Sequence, residues 1–213
     1  MTQRAILFDW DGTLVDSAAT SYRCFTKLFG SFGIRFEPAD FARTYSPAWY
    51  RTYAAVGLAE TEWEEADRRW MAFYRQESSR LIRGAREALE RLNRHDRVQG
   101  LVTSGNRERV HAELSALDVS QYFQVVICAE DSRNKKPHPE ALLLALERLK
   151  LAPEQAIYIG DSPEDIAMAR AAAVRSIGIP GGFPNREQLL AARPDFLADD
   201  LAQAVDVLLD GEA

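Results

Sequence analysis

Residues 4–16 read Arg4-Ala-Ile-Leu-Phe-Asp-Trp-Asp-Gly-Thr-Leu-Val-Asp16. The apolar run from Ala5 to Phe8 is too short for a helix and ends abruptly in Asp9 and Asp11, with Gly12 directly behind. An apolar run closed by a turn signal predicts a buried strand. Side chains alternate along an extended chain, so Asp9 and Asp11 share one side if that geometry persists past Phe8, and Trp10 takes the other. Two like charges this close are costly unless a cation or a shared proton compensates them. The stretch therefore asks for a metal, for acid/base work, or for both, and the rest of the chain has to supply the partners.

Working outward, the pattern first turns helical. Ser17 is placed to cap a helix through Tyr22, Phe25, Leu28 and Phe29, ended by Gly30 and Gly33. A second helix is expected after Pro38, and Pro47 predicts a break inside the aromatic and arginine-rich segment 43–51. Thr61 with Glu64 reads as a capping box ahead of a stripe of Trp63, Ala66, Trp70, Phe73 and Tyr74. That stripe is the kind that packs in a core.

From Gly84 onward strands and helices alternate. Strands are expected at 98–103, 123–129, 156–160, 175–179 and 195–198, and helices at 85–93, 108–117, 139–149, 165–173 and 201–209. Such alternation predicts a parallel sheet with helices on both faces, joined by the N-terminal strand. Polar chemistry gathers at the carboxyl ends of the strands in this architecture.

The bulk composition narrows the function. The chain has 213 residues, 46% of them hydrophobic, which is enough for a sizeable core. A formal net charge of −6 argues against a nucleic-acid partner. No run approaches the roughly 20 apolar residues of a membrane span, and no signal-peptide pattern opens the sequence. Cys24 and Cys128 have neither metal-ligand spacing nor a disulfide framework, so they are expected as small core residues in a reducing compartment. A cytoplasmic protein, monomeric or a weak homodimer, is the expectation.

Each expected strand end carries chemistry. Thr103-Ser-Gly-Asn106 offers hydroxyls and backbone N–H groups suited to phosphate. Gly160-Asp-Ser-Pro-Glu-Asp165 offers hard oxygen ligands for magnesium, Mg²⁺. Lys135-Lys136-Pro-His-Pro139 offers a fixed positive charge, with Lys135 as the alternative to Lys136. An aspartate can attack phosphorus, a second carboxyl can protonate the leaving group and then activate water, and the cations offset charge on the transferring group.

With these residues in place, the sequence resembles the haloacid dehalogenase-like hydrolases in their phosphatase branch. Asp9–Asp16 resembles the family's first motif, Leu101-Val-Thr-Ser-Gly105 its second, Lys136-Pro-His-Pro-Glu140 its third and Ile159-Gly-Asp-Ser-Pro-Glu-Asp165 its fourth. The resemblance implies a nucleophile at Asp9 and a general acid/base at Asp11, protonated in the first step. It implies a phosphate cradle from Thr103, Lys136 and the backbone N–H groups of Trp10, Asp11 and Ser104. Mg²⁺ would be held by the Asp9 carboxylate, the Asp11 carbonyl and Asp161, with Asp165 supporting the shell through water or Lys136. The fold implied is α/β, a Rossmann-like core from residues 1–16 and 83–213 with a small all-helical cap inserted at 17–82. The cap falls in the long gap between Asp9 and Thr103. This arrangement is similar to the phosphoglycolate phosphatase-like and β-phosphoglucomutase-like members, and it implies a small phosphorylated metabolite as the substrate.

The chain departs from those relatives in the cap. Members nearest phosphoglycolate phosphatase often carry glycine near Tyr45, where Arg43, Tyr45, Trp49, Tyr50 and Arg51 are bulky. These aromatic and arginine residues suggest a polar, anionic or ring-bearing leaving group. Nothing in the cap matches the mutase's histidine and lysine pattern, and Asp11 stands where dehalogenases and phosphonatases have no aspartate. A phosphomutase and a non-catalytic phosphate-binding regulatory domain are the alternatives to a phosphatase.

Overall fold

The structure is a computed structural model that describes residues 5–46 and 49–211. It begins with β1 (Ala5–Phe8), whose four residues are all buried, as a strand covered on both faces requires. Four helices follow: α1 (Ala18–Gly30), α2 (Pro38–Thr44), α3 (Trp49–Ala55) and α4 (Trp63–Tyr74). The chain then alternates through α5 (Ala85–Arg94), β2 (Val98–Val102), α6 (Arg107–Ala116), β3 (Val125–Ile127), α7 (Glu140–Leu149) and β4 (Ala156–Gly160). It ends with α8 (Pro163–Ala171), β5 (Arg175–Gly178), α9 (Arg186–Ala191), β6 (Phe196–Leu197) and α10 (Leu201–Asp210).

The six strands form one parallel sheet in the order β3-β2-β1-β4-β5-β6. The chain builds outward from β1 to β3, then crosses to the other side of β1 and builds outward again. Beside β1 the direction of winding reverses, and the crevice at the carboxyl ends of β1 and its neighbours is where such sheets bind ligands. Alternation along β1 divides the core. Ile6, Phe8 and Trp10 pack with α5, α6 and α10, whereas Ala5 and Leu7 pack with α7 and α8.

Helices α1–α4 have a separate apolar cluster in which Phe25, Phe29, Phe36, Phe41 and Tyr53 are buried together. Trp63, Trp70 and Phe73 pack against it, as their helical spacing predicts. The two chain crossings between this cluster and the sheet lie side by side. Asp16 N–H donates to the Arg80 carbonyl and Ile82 N–H to the Leu14 carbonyl, each at 2.9 Å.

Local expectations fail in three places, but Asp9 and Asp11 do line one cavity, with the chain turning directly behind β1. The N–H groups of Leu14 and Val15 both return to the Trp10 carbonyl, at 3.0 and 2.9 Å, and Gly12 turns with φ +84°. Thr61 caps nothing: Glu60–Glu62 form a 3₁₀ turn, and α4 starts at Trp63 with Glu62 in the cap position. Ser17 precedes α1 but makes no side-chain cap hydrogen bond. Helix α9 has no counterpart in the pattern reading. The expected break at Pro47 lies outside the described residues. No described helix is long and apolar enough to cross a membrane.

Candidate active site

Four strand ends converge on one cavity of about 180 Å³ between the sheet and helices α1–α4. That is below the range of about 300–1,000 Å³ usual for drug-sized ligands, and it suits a small metabolite. Asp9, Asp11, Thr103, Ser104, Lys136, Asp161 and Asp165 all line it, so the structure brings together the core residues expected from the sequence.

Asp9 continues the β1 ladder by donating its N–H to the Ile159 carbonyl at 2.9 Å. Its carboxylate accepts from Lys136 Nζ at 2.7 Å, and the same ammonium donates to Asp165 at 2.7 Å and to the Tyr158 hydroxyl at 2.7 Å. Tyr158 in turn donates to the Val102 carbonyl at 2.8 Å. Lys136 is thereby fixed between two carboxylates, which outweigh its burial and keep it firmly protonated. Lys135 points elsewhere, donating to the Ala129 carbonyl, so Lys136 is the one of the two that lines the cavity.

Asp161 follows β4, and Asp165 lies in the first turn of α8. Ser162 caps that helix: its hydroxyl accepts from Asp165 N–H at 3.2 Å, while Asp165 Oδ2 accepts from Ser162 N–H at 3.1 Å. Both Asp165 oxygens are thus engaged, one by Lys136 and Tyr158, the other by Ser162. Gly160 is required here because a Cβ would stand 2.6 Å from the Asp165 side chain. Asp161 differs: its Oδ2 is buried with no hydrogen-bond partner.

Carboxylate oxygens of Asp9, Asp161 and Asp165 lie within 4.8 Å of one another, all three residues buried. Burial, with Asp165 and Asp11 nearby and Lys136 opposing, pushes the Asp9 carboxyl up to about 7. Burial, then Asp9 and Asp165, drives the Asp161 carboxyl well above its ordinary range. Three clustered carboxylates, two of them on one ammonium and the third with an unpartnered oxygen, fit a divalent cation with hard oxygen ligands.

Asp11 has a different partner. Arg109, on α6, donates from its two terminal nitrogens to the two Asp11 oxygens at 3.0 and 2.5 Å. Burial alone would raise the Asp11 carboxyl, but the guanidinium outweighs it and holds the group below the usual carboxylate range. Arg109 also donates to Glu113 at 3.1 Å. Glu113 collects the Trp10 indole N–H at 2.7 Å, the Tyr74 hydroxyl at 3.0 Å and the Ser79 hydroxyl. The Trp10 side chain therefore faces the core, and only its backbone lies at the end of β1. Arg109 and Tyr158 were missed in the sequence. Arg109 had a weak signal in Glu113 four residues on, and Tyr158 in being the one hydroxyl of an apolar strand.

The expected specificity residues divide. Tyr45 and Trp49 line the cavity. Arg43 and Arg51 do not: Arg43 pairs with Asp40 at 2.8 Å and Arg51 with Glu164 at 3.7 Å, each with two-thirds of its side chain exposed. Both border a separate surface depression. Helix geometry decides this, since Arg43 lies three residues from Asp40 on an outward face of α2.

With fold and site described, the likenesses to known proteins are specific. Residues 6–179 match the family model described as haloacid dehalogenase-like hydrolase. Phosphoglycolate phosphatase of Salmonella choleraesuis (strain SC-B67) is 32% identical, over 96% of this chain and 92% of that protein. Pyrophosphatase PpaX of Oceanobacillus iheyensis is 26% identical over the full length of both. A haloacid dehalogenase-like family hydrolase from Streptococcus pneumoniae superposes with a TM-score of 0.84 at 26% identity, covering 95% of this chain and 97% of that one. The chain belongs to the haloacid dehalogenase-like hydrolase family, in its phosphatase branch.

Proposed function

We propose that the protein is a Mg²⁺-dependent phosphatase that hydrolyses a small phosphomonoester through an aspartyl phosphate on Asp9. The observation that carries this reading is the buried grouping of Asp9, Asp161 and Asp165 about Lys136, with one Asp161 oxygen unpartnered. Residues 17–82 serve as its cap, closing over the cavity to limit water during the first transfer.

In the first half-reaction an Asp9 oxygen bonds to phosphorus as the ester P–O bond breaks, and the departing alkoxide takes a proton from Asp11. In the second, water attacks phosphorus and gives its proton to Asp11. The bond from Asp9 to phosphorus breaks, releasing inorganic phosphate and restoring both carboxyl groups. Lys136, Thr103 and the backbone N–H groups of Trp10, Asp11 and Ser104 orient the phosphoryl oxygens. Asp9, Asp161 and the Asp11 carbonyl would hold Mg²⁺, which when bound offsets charge on the carboxylates and the phosphoryl group. Asp165 acts through Lys136, since both its oxygens are already engaged. Paired with Arg109, Asp11 has the ionised form needed as the base of the second half. To act as the acid of the first, it must exchange that ion pair for a proton.

A phosphomutase has less support. The chain's three histidines, His95, His111 and His138, all lie outside residues 17–82, and Lys27, that segment's one lysine, pairs with Glu77.

The test is Asp9→Asn, assayed with p-nitrophenyl phosphate and Mg²⁺. Turnover is expected to fall on the order of 10⁴-fold or more, with an unchanged circular dichroism spectrum. Acid-quenched wild type should carry a phosphoryl group on Asp9. Near-normal turnover in the variant would overturn the assignment, as would full activity in excess EDTA.

A further inference from the structure

On the side of helices α1–α4 the cavity is walled by Phe25, Trp49, Tyr53 and Trp70, while Tyr45 and Phe183 stack on each other nearer Gly12 and Asp161. One charged side chain, Asp67 of α4, lines it there. Its Oδ1 accepts from the Trp49 indole N–H at 3.0 Å and the Tyr53 hydroxyl at 3.1 Å, and its Oδ2 from the Tyr50 hydroxyl at 2.8 Å. Three neutral donors fix the carboxylate and leave its charge in place. No cation pairs with it among the described residues, and its helix neighbours Arg68 and Arg69 both turn to Glu65.

The two cations that line the cavity, Lys136 and Arg109, each already serve two carboxylates near the sheet. A leaving group carrying a carboxylate would find no free cation on that side and would meet Asp67. A leaving group carrying an ammonium would find aromatic faces and an uncompensated carboxylate, the combination that recognises amino and quaternary-ammonium groups. Trp70 adds a buried indole N–H without a partner, a donor for an oxygen of the bound molecule.

We infer that this side of the cavity is a subsite for a cationic leaving group, and that the substrates are small phosphomonoesters of amino or quaternary-ammonium alcohols. The inference rests on the phosphatase reading and narrows it. It separates this chain from an activity on phosphoglycolate, whose leaving group is an anion.

The experiment compares kcat/KM of the Mg²⁺-loaded full chain for phosphocholine, phosphoethanolamine, 2-phosphoglycolate and 3,3-dimethylbutyl phosphate, the uncharged isostere of phosphocholine. p-Nitrophenyl phosphate serves as the generic ester. A cationic ester should lead both 2-phosphoglycolate and the isostere by about tenfold, and Asp67→Asn should bring phosphocholine and the isostere close to parity. Hydrolysis of p-nitrophenyl phosphate with 2-phosphoglycolate ahead of both cationic esters overturns the inference and leaves the phosphatase reading standing. So does equal use of phosphocholine and its isostere by the wild type. No hydrolysis of any ester, the generic one included, overturns the reading itself. Should Asp67→Asn fail to fold, wild-type tryptophan fluorescence decides: saturable quenching by choline and none by glycolate supports the subsite, and the reverse overturns it.

Discussion

On the sheet side of the cavity, charges interlock: Lys136 bridges Asp9 and Asp165, and Arg109 bridges Asp11 and Glu113. On the side of helices α1–α4 a single carboxylate among the described lining residues, Asp67, sits among aromatic rings and is held by neutral donors. The first wall fixes charge where a phosphoryl group needs it, whatever alcohol is attached. The second offers shape, ring faces and one negative charge, features that distinguish one alcohol from another. Lesions in the first wall should lower kcat for every ester, whereas lesions in the second should redistribute kcat/KM among esters.

After Asp9→Asn, the largest expected break in this contrast comes from Asp161→Asn. Turnover should fall roughly 10²–10³-fold for every ester, the scale on which one preorganised electrostatic contact acts. Stability should move the other way. In EDTA the variant should melt no lower than wild type, because the amide removes a buried carboxylate with an unpartnered oxygen. Added Mg²⁺ should raise the melting temperature of wild type alone, since a cation that binds only the folded state stabilises it, by about 2.7 kcal/mol at 100 times its dissociation constant. Equal stabilisation of both proteins would remove Asp161 from the metal site.

Next in size is Arg109→Leu. It strands two carboxylates, Asp11 and Glu113, in surroundings where the arginine side chain itself is only 7% exposed. Breaking a buried ion pair from one side costs about 3–5 kcal/mol, a large part of the 5–15 kcal/mol typical of a folded domain. The midpoint of urea unfolding should fall accordingly. Arg109→Lys should fall part of the way, since one ammonium cannot reproduce the two-pronged contact with Asp11. A midpoint unchanged in Arg109→Leu would mean that the Asp11 pair carries no stability.

How far each wall could be read in the sequence follows from the same contrast. Strands buried on both faces are continuous apolar runs, and the residues just beyond them must lie at the sheet's carboxyl edge. Asp9, Thr103 and Asp161 were legible for that reason. Lys136 was legible by motif, although only the fold separates it from Lys135. Arg109 depends on how α6 rotates against the sheet: Arg107, two residues earlier, faces out to Asp131 instead. Asp67 reads as an ordinary polar position of an amphipathic helix, because its donors come from α3, across a turn that sequence spacing cannot fold. Helix α9 is six short residues of mixed character, below the length at which periodicity can be counted.

The smallest effect is expected where the sequence pointed most plainly to specificity. Arg43 and Arg51 stand among aromatic residues in sequence, yet both side chains are two-thirds exposed outside the cavity, Arg43 paired with the partly exposed Asp40 and Arg51 reaching the mostly buried Glu164 at 3.7 Å. Arg43→Ala and Arg51→Ala should leave kcat/KM for every ester within about twofold of wild type, because exposed ion pairs contribute little and neither arginine reaches the cavity. Set beside Asp67→Asn on the same panel of esters, the two variants separate lining from adjacency. A selective loss with 2-phosphoglycolate in Arg51→Ala would mean that Arg51 leaves Glu164 and enters the cavity when substrate binds, and the aromatic wall would then carry a cation after all.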